Sequence, residues 1–242
     1  MDELIQPRIE LLNGNCLELL RKMKPECIDL LVTDPPYRTI SGGDSGNRPK
    51  GMLSGNRHLF EHQNDIEIYQ WMPLLYKVLK ENSHAYVFTN FLNLHDMLYE
   101  AKIAGFKLHN LLVWEKNNCT PSQFYMKNCE YVLFMRKGKS KWINNIGGSK
   151  TVHQFNNIIG NKTHPCEKPI DLLKFYIENS SKEGDIVLDP FMGTGSCGVA
   201  CKETNRNFIG IELDQKYFDV AKKRVEEAQG LLSQEVPKVA SN

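Results

Sequence analysis

Asp185-Ile186-Val187-Leu188-Asp189-Pro190-Phe191-Met192-Gly193-Thr194-Gly195-Ser196-Cys197-Gly198 is the stretch whose reading decides the fold. The apolar, partly β-branched run from Asp185 to Asp189 predicts a buried strand. Pro190 to Ser196 predicts a glycine-bearing turn, Cys197 to Glu203 a helix, and Asn207 to Glu212 a second strand. A unit of this kind can cradle a nucleotide cofactor, because glycines let the backbone approach the ligand and the helix behind presents free amides. An acid at the next strand tip then takes ribose hydroxyls. Glu212, followed by Leu213, stands at that place. Gly193 to Gly198 formally matches the dinucleotide fingerprint, so a nicotinamide cofactor is one reading. Asp189 speaks for another. An acid just before the glycines suits a ligand carrying an amino group and a sulfonium, such as S-adenosylmethionine, better than it suits a pyrophosphate.

Far upstream, Ile28 to Thr33 predicts a second buried strand, and Asp34-Pro35-Pro36-Tyr37 follows it. Neither proline can donate to a ladder, so the strand stops and an acid and a ring are delivered at its carboxyl end. An amine attacking a sulfonium methyl needs no enzyme nucleophile. It needs acceptors for its hydrogens, and the Asp34 carboxylate and Pro35 carbonyl can supply them, held still by the fixed φ of Pro35 and Pro36. Tyr37 offers a flat face for a planar base, which must leave a duplex to be reached.

The rest of the chain alternates strands and helices, which predicts a mostly parallel sheet covered on both faces. Arg8 to Leu12, Ala85 to Thr89, Lys107 to Trp114 and Cys129 to Met135 read as strands. Cys16 to Met23 (capped by Asn15), Asp65 to Lys80, Asn93 to Ala104, a segment opened by Pro169, and a segment capped by Asp214 read as helices. Glu115 to Pro121 reads as a polar turn. The glycine-dense segment 38–58 predicts a mobile loop, and 137–163 an irregular insert within a single domain spanning 1–242.

Net charge is +1 across 242 residues, so no global field marks a polyanion partner. Charge is nevertheless uneven, with no acid from Tyr131 to Cys166. Seven cysteines without a CxxC pair predict free thiols and no metal site, which suits a reducing cytoplasm. No apolar run has the length of a membrane span, and the start, Met1-Asp2-Glu3-Leu4, argues against a signal peptide.

Taken together, Asp34-Pro35-Pro36-Tyr37, Asp189-Pro190-Phe191-Met192-Gly193-Thr194-Gly195-Ser196 and His164-Pro165-Cys166-Glu167-Lys168-Pro169 resemble the amino-methylating DNA methyltransferases. The catalytic motif precedes the cofactor motif, as in the β group of that family. The resemblance implies a permuted seven-stranded methyltransferase sheet, Rossmann-like, with helices on both faces and a small recognition insert at 137–163. It implies Asp34, Pro35, Pro36 and Tyr37 as catalytic residues. Contacts to S-adenosylmethionine are implied for Asn15, Cys16, Asp34, His164, Lys168, Asp189, Pro190, Phe191, Gly193, Thr194, Gly195, Ser196, Glu212 and Leu213. Asn15 stands where the family commonly has Asp. Within the family, Asp at the first motif position favours adenine N6 over cytosine N4.

DNA is the implied partner. Phosphate contacts are expected from Arg38, Arg48, Lys50 and Arg57 in the loop and from Arg136, Lys137, Lys139 and Lys141 at the insert. Asn144, Asn145, Gln154, Asn156 and Asn157 could read base edges. A short insert points to a small recognition site or a homodimer, and a cognate restriction nuclease is a further open partner. Cytosine-N4 methylation and a catalytically silent nucleic-acid-binding subunit are the alternative readings. Methylation of RNA or protein glutamine fits less well, because those relatives usually carry Asn in place of Asp34 and reverse the motif order. A zinc deaminase lacks its signature here.

Overall fold

The computed structural model describes residues 6–36, 66–120, 125–158 and 167–229. Eight strands, β1 (Ile9–Asn13), β2 (Ile28–Thr33), β3 (Leu79–Thr89), β4 (Lys107–Thr120), β5 (Lys127–Arg136), β6 (Val152–Gln154), β7 (Ile186–Asp189) and β8 (Asn207–Glu212), form one sheet in the order β1-β8-β7-β2-β3-β5-β4-β6. β5 runs antiparallel to both its neighbours and the other pairings are parallel. Among the described residues six helices surround it: α1 (Cys16–Lys22), α2 (Ile68–Val78), α3 (Leu94–Ala104), α4 (Ile170–Ser180), α5 (Ser196–Glu203) and α6 (Gln215–Glu227).

The two-residue alternation of β2 shows why there are two helical layers. Leu31 joins Leu20, Trp71, Leu75 and Met97 under α1, α2 and α3. Leu30 and Val32 join Leu172, Tyr176, Ala200 and Ala221 under α4, α5 and α6. All three β2 residues are fully buried. Each such burial stabilises the fold by about 1.5–3 kcal/mol. The ends of the helices follow the residues that cap them. Asn15 accepts from the Leu17 N–H at 2.8 Å, Asp214 accepts from the Lys216 N–H at 2.8 Å, and Gly105 closes α3 at φ 106°.

Three expectations need correction. The sheet has eight strands instead of seven, because Val152–Gln154 of the insert adds to its edge alongside β4. The segment Glu115 to Thr120 is not a turn. β4 continues through it, tied to β5 by the Lys116–Glu130 ion pair and to β6 by Gln154 Nε2 donating to Glu115 Oε2 at 2.7 Å. Leu79 and Lys80 are not helical, since β3 already begins at Leu79, opposite Ile28. The segments 38–58 and 159–163 lie outside the described residues.

Candidate active site

β2 and β7 are neighbours, Leu30 opposite Val187 and Leu31 opposite Leu188. The strand order turns there: β8 and β1 lie beyond β7, and β3 lies beyond β2. A crevice opens outside the carboxyl ends of strands at such a switch point. Asp34 follows β2, Asp189 ends β7 and Glu212 ends β8, so three carboxylates converge on it.

Asp189 is the most buried of them. Its Oδ1 accepts from Thr33 Oγ1 at 2.7 Å and from the Phe191 N–H at 3.1 Å. Burial, reinforced by the charges of Asp34 and Glu212 and only partly offset by those hydrogen bonds, lifts its carboxyl to about 7. Burial also raises Glu212, whose oxygens accept from the N–H groups of Gly193 and Asp214, each at 2.9 Å. The carboxylate expected to meet ribose hydroxyls therefore also pins the glycine turn to the β8 tip.

The two turn glycines have different tasks. Gly193 has φ +52°, and a Cβ there would meet nothing within 4 Å among the described residues. Gly195, at φ +80°, lets α6 approach, since a Cβ there would lie 2.9 Å from that of Ala221. Arg224 of α6 clamps the turn, donating to the Thr194 carbonyl at 2.9 Å and to its Oγ1 at 2.8 Å while pairing with Glu167. Ser196 opens α5 and Pro190 is buried beside the turn. Phe191 meets the edge of Trp71 with centroids 5.5 Å apart.

The amino-terminal segment docks on the same tip through the Gly14 N–H and Asn13 Nδ2, which donate to the Glu212 carbonyl at 2.9 and 3.0 Å. The Asn15 side-chain oxygen caps α1, and burial pushes the Cys16 thiol up to about 11. Leu213 is exposed.

Lys168 reaches Asp34. Its buried ammonium pairs with the Asp34 carboxylate, lies 3.3 Å from Glu130 Oε2 and sits 5.1 Å from the Phe88 ring centroid. Glu130 pairs in turn with Lys116. Sequence reasoning missed Glu130, although a single charge inside the apolar run Cys129 to Met135 was a signal for it.

The basic residues expected on DNA are not brought together. Lys137 is buried and donates to Glu26 Oε1 at 3.1 Å, to the Tyr76 carbonyl at 3.2 Å and to the Leu79 carbonyl at 2.9 Å. All three lie at the amino ends of β2 and β3, so its phosphate role is withdrawn. Arg136, opposite His84, donates to the Gly138 carbonyl at that same end. Lys139 is bound there to Asn82, and Lys141 lines a cavity of about 530 Å³ with Asp29, Lys80 and Asp185. Asn144 and Asn145 fasten the insert to the end of α4, and Asn157 bonds Asn117 and Asn118. Tyr37, Arg38, Arg48, Lys50, Arg57 and His164 lie outside the described residues.

Clustered carboxylates beside a glycine turn fit a cationic ligand with a nucleoside part. Sheet order and acidic switch point define the class: a methyltransferase using S-adenosylmethionine. Comparison with known proteins narrows it. A model of the N6/N4 DNA methylase family matches residues 28–223, and the chain belongs to that family. Type II methyltransferase M2.DpnII of Streptococcus pneumoniae is 31% identical over 239 residues, covering 89% of each chain. Type II methyltransferase M.HinfI of Haemophilus influenzae is 32% identical over 244 residues, covering 90% of this chain and 68% of that one. Among solved structures, M1.HpyAVI in complex with S-adenosylmethionine has a TM-score of 0.67 at 26% identity, over 89% of this chain and 99% of the other. The cytosine-N4-specific PvuII DNA methyltransferase has a TM-score of 0.72 at 19% identity, over 90% and 86%, and shares the fold. The reaction is S-adenosylmethionine-dependent DNA methylation.

Proposed function

We propose that the methyl group goes to the exocyclic N6 amine of an adenine flipped out of the helix. The observation that carries this reading is Asp34 at the switch point, beside Asp189 and gripped by Lys168. S-adenosylmethionine supplies the electrophilic methyl when bound, with Asp189, Glu212 and the Gly193 turn as its holders. The Asp34 carboxylate and Pro35 carbonyl accept the hydrogens of the amine, which leaves its nitrogen richer in electrons as the new bond forms. Tyr37 stacks on the base. Asp34 or water receives the proton that the nitrogen sheds.

The DNA lies across the carboxyl ends of the strands, where Phe91, Tyr125, Met126 and Lys127 are exposed on the loop after β3 and the approach to β5. The Type II designation of the relatives supports a partnership with a cognate nuclease. The short insert supports a small recognition site or a homodimer. DNA as substrate supports a cytoplasmic enzyme. No helix among the described residues is long and apolar enough to cross a membrane.

The test is expression in a methylation-free host followed by sequencing of its DNA for modified bases. N6-methyladenine within one short motif is expected. N4-methylcytosine would replace the adenine assignment. Unmodified DNA from a protein that still binds S-adenosylmethionine in calorimetry would point to a catalytically silent subunit.

A further inference from the structure

Two cations and two carboxylates alternate behind the active site: Asp34 after β2, Lys168 before α4, Glu130 on β5 and Lys116 on β4. The side chains of Lys168, Lys116, Asp34 and Glu130 are 8%, 18%, 20% and 21% exposed, so water screens this row weakly. Taking charges out of water costs several kcal/mol per ion unless the partners are well placed. A carboxylate that only had to receive amine hydrogens would not require such a row behind it.

We propose that Glu130, acting through Lys168, is a positioning residue for the Asp34 carboxylate. The inference rests on the reading of Asp34 as the acceptor of the target amine. A lone buried ammonium would orient Asp34 but would also draw off its electron density, weakening it as an acceptor. Glu130 on the far side of Lys168 divides the pull of that ammonium between two carboxylates. Lys116 then balances Glu130, so the row carries no net charge. Asp34 is thereby fixed in direction and keeps its acceptor strength.

Electrostatics agree with the geometry. Burial works to raise Glu130, but Lys168 and Lys116 outweigh it and hold the carboxyl below its ordinary value. Among the described residues, the other titratable groups that feel the row are Asp189, which feels the charge of Asp34, and Tyr176 of α4, which feels that of Glu130. Asp189 belongs to donor binding, so its titration drops out of a rate measured with donor and DNA both saturating.

The experiment is single-turnover methyl transfer from tritiated S-adenosylmethionine to plasmid DNA from a methylation-free host, followed from pH 5 to 9 in roughly unit steps. In Glu130→Gln the full ammonium charge falls on Asp34, so the acid limb of the rate profile moves down by about a pH unit and the plateau drops about tenfold. In Lys168→Met two carboxylates face each other without their cation, so the limb moves up by about a unit and the plateau drops about 100-fold. The double variant Lys168→Met/Glu130→Gln returns the limb to within about 0.3 unit of the parent. Lys116→Gln, at the edge of the row, moves the limb up by about half a unit and keeps the test open if a more buried variant does not fold. Calorimetric affinity for S-adenosylmethionine stays within about threefold in Glu130→Gln and Lys116→Gln, neither of which is placed against the donor. Unmoved limbs, or limbs that move the same way in Glu130→Gln and Lys168→Met, overturn the inference. Asp34→Ala, run beside them, separates the two failures: if it is inactive while the limbs stay put, only the inference falls, and if it methylates normally, the reading of Asp34 falls.

Discussion

At the amino ends of the parallel strands, Lys137 donates to Glu26 and two carbonyls, Lys80 meets Asp29 at 2.6 Å, and Arg206 donates to the Ser181 hydroxyl at 3.1 Å and to its carbonyl at 3.0 Å. At the carboxyl ends, Asp34, Asp189 and Glu212 crowd together, and burial raises Asp189 to about 7 and shifts Glu212 upward as well. One end satisfies its charges internally. At the other, Lys168 answers Asp34, but Asp189 and Glu212 keep like charge close together, which costs stability unless a cation arrives. The contrast shows that a basic composition does not locate a DNA surface, and that an acidic cleft can serve a protein whose substrate is a polyanion.

The contrast breaks most visibly at Asp34. Asp34→Ala is expected to lower turnover by about 10²–10³ while calorimetry shows donor affinity nearly unchanged. At the opposite end, Lys137→Met is expected to cost about 2 kcal/mol of stability in urea melts, because the Tyr76 and Leu79 carbonyls lose their donor. The pairing with Glu26 adds little, since that carboxylate is 51% exposed.

Asp189 gives the next effect. Its carboxyl rises from 3.8 to about 7 on folding, so between those values the folded protein holds a proton that the unfolded chain has released. Stability from this group therefore falls as pH rises through that window. Donor affinity runs the other way, falling up to about tenfold per unit as pH drops below 7, and calorimetry from pH 8 to about 5.5 would show it. The smallest effects sharpen the comparison on the DNA side. Lys139→Ala and Lys141→Ala should leave DNA affinity within about twofold, whereas Lys127→Ala should reduce the slope of log affinity against log salt by about one.

The sheet and the donor cleft were legible because their signals are local. A short apolar run ending in Asp34-Pro35-Pro36, and another ending in Asp189 before two glycines, each carry strand, stop and chemistry within a few residues. Less was legible where the deciding partner is remote. Glu115 to Thr120 is polar enough to read as a turn, and only its pairing with β5 and β6 makes it strand. Leu79 keeps the helical spacing of α2 but is taken by β2. Lys137 sits in a run of charge that looks solvated, and its burial depends on carbonyls 58 and 61 residues away. Lys168 matched a motif, but its hold on Asp34 and its link to Glu130 emerge only once β2, β5 and the approach to α4 are folded together.

Thr33 and Asp189 are 156 residues apart in the chain, and their hydrogen bond joins the two halves of the cleft. The pairing of β1 with β8 spans a greater length still, so the first strand to leave the ribosome waits for the last. At roughly 5–20 residues per second, Asp34-Pro35-Pro36-Tyr37 is made about 8–30 s before Asp189. A nascent chain that has not reached Asp189 therefore lacks one wall of the proposed cleft.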